Sequence, residues 1–106
     1  MTDNQFTDTF TTPGGWFILT QYETIADWNS SNRDLIEHIY AIGFDEKRAR
    51  TSSRVSCVRR LIRENRIEDA LIKIRDSKKI NTQHPDAYML ASNILKRRFD
   101  ICARSD

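Results

Sequence analysis

Apolar residues in this chain recur mostly at spacings of three and four, the repeat of a helix with one buried side. The clearest stripe is Leu35, Ile36, Ile39, Tyr40 and Ile42. Ser31, followed by Asp34 three residues on, has the pattern of a capping box at its start. Gly43 suits the position just past its end, where a left-handed backbone is least costly in glycine. Asp45 is placed to cap the next helix, with Ala49, Ser52, Val55 or Ser56, Val58, Leu61 and Ile62 along one side. Asn65-Arg66 reads as a turn or kink, and Ile67, Ala70, Leu71 and Ile74 give a further stripe ending near Ser77. Residues 78–83 read as a loop. Pro85 opens a last helix with Ala87 or Tyr88, Leu90 or Ala91, Ile94 and Leu95 facing inward, and with Phe99 as an extension.

The N-terminal part gives a mixed pattern. Residues 1–12 are polar and Thr-rich, with Phe6 and Phe10 as isolated apolar points. They read as a flexible arm unless both rings dock on the domain. Thr12-Pro13 fits an N-cap with proline behind it, and Ile18, Tyr22, Ile25 and Ala26 then recur at helical spacing, flanked by Trp16 and Leu19. The same stretch is rich in β-favouring side chains, so a short strand or hairpin around residues 15–22 is the alternative. The expectation is an all-α bundle of four or five short helices: an arm at 1–12, one helical domain at 13–100 and a tail at 101–106.

Charge changes the picture more than composition does. The formal net charge is only +2, yet residues 1–45 carry Arg33 against seven carboxylates, while residues 46–106 hold a net +8. Arginine supplies 12 of the 17 basic residues. Its planar fork pairs with carboxylate or phosphate in a way lysine does not. The stretch 47–63 contains Lys47, Arg48, Arg50, Arg54, Arg59, Arg60 and Arg63 and no carboxylate, and Ser52, Ser53 and Ser56 add small donors. Arg66, Lys78-Lys79 and Lys96-Arg97-Arg98 extend the basic set. Three readings compete: a solvated face balanced by the acidic half, a surface for nucleic acid, and a surface for an acidic or nucleoprotein partner. Trp16 and Trp28 are candidate protein-contact anchors, with core packing as their plain alternative.

Three stretches resemble known helical units. Val58 through Leu71, with Pro85-Asp86-Ala87-Tyr88 beyond, resembles one pentatricopeptide-type hairpin: a Leu-Ile pair ends one helix, an Ala-Leu pair sits in the next, and Pro-Asp opens another. That resemblance implies an antiparallel helix pair. One unit stands where a solenoid needs three, so no base-reading residue is carried over. Thr20 to Ala26, Asn29-Ser30 and Arg33 to Ile36 loosely resemble a helix-turn-helix. The glycine-like turn is missing, and Asp34 and Glu37 would repel phosphate. Ile42-Gly43-Phe44 is similar to a short stretch of ubiquitin-associated three-helix domains.

No residues are arranged for an obvious reaction. Cys57, Cys102, His38 and His84 do not fall at metal-clip spacing, and no cofactor is expected. Cys57 reads as part of an apolar helix face and Cys102 as part of the tail, unpaired in a cytoplasmic protein. His38 is next to Glu37, but adjacent helix residues point apart, and His84 precedes Pro85 at a helix start. Gly14-Gly15 has no basic neighbour in sequence to complete a phosphate cradle. No apolar run is long enough to span a membrane. The expectation is therefore a non-enzymatic binding domain with no small-molecule substrate, docking nucleic acid or a nucleic-acid-handling complex through Lys47, Arg48, Arg50, Arg54, Arg59, Arg60, Arg63, Arg66, Lys96, Arg97 and Arg98. The alternatives are a small regulator or inhibitor of one folded protein, and a self-associating bundle.

Overall fold

The structure, a computed structural model, describes residues 1–100. They form α1 (Asp3–Thr11), α2 (Gly15–Asp27), α3 (Asn32–Tyr40), α4 (Arg48–Arg63), α5 (Ile67–Arg75), α6 (Lys78–Gln83) and α7 (Ala87–Phe99). The protein is all-α, with no strand among the described residues. The expected tail, including Cys102, lies outside them.

Local signals explain several boundaries. Ser31 Oγ accepts from the Asp34 amide at 3.1 Å and starts α3. The chain turns off α4 at Asn65, two residues past its end, whose φ of +57° is left-handed, a conformation that asparagine tolerates among non-glycine residues. There the Arg66 amide reaches back to the Leu61 carbonyl at 2.8 Å and the Asn65 amide to Ile62 at 3.1 Å, the double closure of a Schellman turn. Arg66 then leads directly into α5, whose Ile67, Ala70, Leu71 and Ile74 are all buried. Of the alternatives on α7, Ala87 and Ala91 face the core, and Tyr88 and Leu90 are exposed.

Other expectations are corrected. Residues 15–22 are helix, not strand: Phe17, Ile18, Leu19, Tyr22 and Ile25 are buried on a helical repeat that overrides β propensity. Residues 1–12 are not an arm. Thr2 and Gln5 form a full capping box, and Phe6 and Phe10 are buried in the core cluster. Arg66 lies over the Phe6 ring at 4.3 Å and Lys73 over Phe10 at 5.1 Å, so cations from α5 and its approach hold α1 down. Thr12 ends α1 rather than capping α2. Residues 78–83 are the short helix α6, capped by Ser77 Oγ from the Ile80 amide. Pro85 precedes α7, which begins at Ala87. Asp45 does not cap α4, and Ile42 is 53% exposed beyond α3.

α4 is central. It packs against α1, α2, α3 and α5, while α2 bridges α4, α5 and α7, and α6 spans α5 and α7. Thr51, Val55, Val58 and Leu61 form its buried side. At about 100° per residue, the opposite side of α4 carries Ser53, Ser56, Arg60 and Arg63. The fold therefore fixes one face of the basic helix in the core and presents the other.

Candidate polyanion-docking face

The expected basic residues do not form one continuous surface. In the N-terminal half of α4 they are engaged by the protein itself. Arg48 pairs with Glu37 of α3. Asp45, whose side chain is only 2% exposed, receives Arg54 Nε at 3.1 Å, Arg50 Nε at 3.4 Å and the Thr51 hydroxyl at 3.0 Å. Arg54 also donates through Nη1 to the Pro13 carbonyl and lies 5.5 Å from the Phe17 ring. Asp45 thus serves as the anchor of a buried cluster joining the α3–α4 loop, α4 and the turn before α2.

The C-terminal cluster on α7 is likewise compensated. Arg97 Nη2 donates to Glu23 Oε1 at 2.6 Å, Arg98 Nε donates to Glu23 Oε2 at 2.9 Å, and Arg98 also pairs with Asp27. Those two carboxylates raise the Arg98 pKa further, holding it charged. Arg66 pairs with Asp69 at 2.8 Å and covers Phe6, so it holds structure together. The acidic half therefore does fold back onto part of the basic half, and six of the eleven expected docking residues meet the protein's own carboxylates.

Lys47, Arg59, Arg60, Arg63 and Lys96 have no carboxylate partner among the described residues. Arg59, Arg60 and Arg63 lie together on the last turns of α4. Ser56 and Arg63 are exposed, and Arg59 and Arg60 are half-buried. Arg59 and Arg63 flank a shallow groove of about 310 Å³ with Ile25, Ala26 and Ile62. Arg59 Nε is a buried donor with no acceptor among the described residues. Such a donor costs stability where it is unmet. On the other side of Arg60, the half-buried Cys57 thiol meets the Thr12 hydroxyl, and burial pushes its pKa up. It is the less nucleophilic for that.

Both tryptophans make contacts within the protein. Trp28 is partly buried against the core, donates Nε1–H to the Ser31 carbonyl at 3.1 Å and tilts against His38 at 5.2 Å. Trp16 is partly buried and stacks on His84 at 3.8 Å. Apolar exposure lies elsewhere: at Ile42, and at Tyr88, Met89 and Leu90 in the first turn of α7. The sequence offered Tyr88 and Leu90 as core candidates, and only the packing of α7 on α5 decides the rotation. No group of three or more His, Cys, Asp or Glu is placed to hold a metal among the described residues. None of their helices is long and apolar enough to cross a membrane. Comparison with known protein families, with curated proteins and with solved structures finds no match.

Proposed function

We propose that the protein is a non-enzymatic, cytoplasmic binding domain that docks the phosphate backbone of nucleic acid, or of a nucleoprotein, through the C-terminal half of α4. The observation that carries this reading is the contrast within one helix: Arg59, Arg60 and Arg63 lack internal carboxylates, whereas Arg48, Arg50 and Arg54 have them. The unmet Arg59 donor beside a groove supports it. So does the small, exposed Ser56 one turn before Arg60, over which a backbone can approach closely. Lys47 and Lys96 are peripheral contributors. Arg48, Arg50, Arg54, Arg66, Arg97 and Arg98 move from the docking set to the structural set.

The test is fluorescence anisotropy of labelled single-stranded and duplex oligonucleotides at low salt. Binding that weakens when Arg59 and Arg63 are replaced by alanine supports the reading. No binding at low salt overturns it. A second reading, a regulator of one folded protein, is favoured by the consecutive exposed side chains Tyr88, Met89 and Leu90. It predicts a stoichiometric partner whose capture is lost with Met89→Asp and is insensitive to Arg63→Ala.

A further inference from the structure

A cleft of about 450 Å³ opens where the first turn of α2 meets α6 and the end of α1. Its volume falls in the range of small-molecule sites. The sequence alone points to no small-molecule ligand here, because the groups that meet at the cleft are far apart in the chain. Gly14 and Gly15 form one wall, Arg54 arrives from α4, and Lys79 and His84 come from α6 and its end. None of the lining residues is a carboxylate.

We propose that this cleft is a separate ligand site that takes a planar ring carrying a phosphate, that is, a nucleotide unit, free or at the phosphorylated end of a strand. The ring follows from the walls. Trp16 and His84 lie parallel, 3.8 Å apart with 4° between their planes. Phe17 and Phe44 meet edge to face at 5.1 Å. Trp16 and His84 cover one face of each other and Phe17 is buried, so the ligand ring would lie on the partly exposed outer face of Trp16 or His84 and against Phe44. The phosphate follows from the polar groups. Arg54 is held in place by Asp45 and the Pro13 carbonyl. Lys79 is exposed and has no carboxylate partner among the described residues. Gly14, at φ +82°, makes the turn before α2, and a Cβ there would sit 4.0 Å from Arg54 Nη1. Lys79 supplies the uncompensated charge, and Arg54, whose charge Asp45 balances, adds only hydrogen-bond donors; a tetrahedral anion, which accepts from several directions, fits this better than a planar carboxylate.

The test is a titration of the full chain with adenosine monophosphate, followed by proton–nitrogen correlation spectra. The amide signals of residues 14–17 and 79–84 are expected to move together. Lys79→Ala should weaken binding about tenfold, the loss expected for one charge-assisted contact. Adenosine alone and inorganic phosphate alone should each bind at least about tenfold more weakly than the intact nucleotide. Matched oligonucleotides with and without a terminal phosphate separate the two sources. Movement of the same signals only by the phosphorylated strand assigns a strand end, and movement only by the mononucleotide assigns a free ligand. Arg63→Ala should leave this binding unchanged, so failure here is distinct from failure of the α4 face. The proposal is overturned if neither probe moves these signals at millimolar concentration, if Lys79→Ala binds as well as the parent, or if inorganic phosphate binds as tightly as the nucleotide.

Discussion

The two halves of α4 carry similar arginine density and are treated oppositely by the fold. At the N-terminal end the helix dipole is positive, and cations there are disfavoured. Arg48, Arg50 and Arg54 are accompanied by Glu37 and the nearly buried Asp45. At the C-terminal end the dipole is negative and itself favours cations, and Arg60 and Arg63 stand in the last turn with no carboxylate partner among the described residues. The difference teaches that an arginine run is not one surface. At the helix end that disfavours cations the arginines, though not the capping Lys47, are paired within the fold, and the end that favours them keeps its guanidinium groups available.

The strongest way to break this contrast is at Asp45. Asp45→Ala removes the acceptor for Arg54, Arg50 and Thr51 and leaves the largely buried Arg54 without a carboxylate. Unfolding in urea should show a loss of about 3 kcal/mol. A loss within the range of an ordinary surface substitution would mean that the cluster is not holding the α3–α4 loop. The same comparison predicts the reverse at the other end. Arg59→Met removes an unmet buried donor while keeping its apolar stem. Stability should hold or rise by about 1 kcal/mol. Oligonucleotide affinity should fall in the same variant. A large loss of stability would assign Arg59 to the fold.

Smaller effects sharpen the boundary of the engaged set. Glu23→Gln weakens the pairs to Arg97 and Arg98, which are partly exposed. Thermal unfolding at low salt should register at most about 1 kcal/mol, and less as salt is added. Tyr22 gives the smallest effect. Burial, the largest influence, pushes its phenol pKa above the ordinary value of 10.0, against the opposing pull of Arg98. The native state therefore keeps a proton that the unfolded chain loses. Its contribution is complete below that ordinary value and declines as pH rises through the higher native value. Tyr22→Phe should flatten part of the alkaline fall in stability, read by unfolding at a series of pH values above 9.

Some of this was legible in the sequence, for physical reasons that differ by region. α3 and α5 depend on local rules: a serine cap and a complete apolar stripe. α1 depends on them in part: Thr2 and Gln5 cap it, but its two phenylalanines become core only where α4 packs against them and Arg66 and Lys73 lie over their rings. α6 was hidden because none of its residues is buried, and it is set by its Ser77 cap. The basic face was legible as composition and not as geometry. Glu23 meets Arg97 across 74 positions and Pro13 meets Arg54 across 41, distances that no local pattern encodes. The aromatic cleft escaped for the same reason.

The most direct test of the divided helix is the salt dependence of oligonucleotide binding in paired variants. For a single strand, Arg59→Ala with Arg63→Ala should reduce the slope of log affinity against log salt by about 0.7 for each arginine removed. Arg48→Ala with Arg50→Ala should leave the slope at the parent value. Equal reductions from both pairs, or a reduction only from Arg48 and Arg50, would contradict the assignment of the docking face to the C-terminal half of α4.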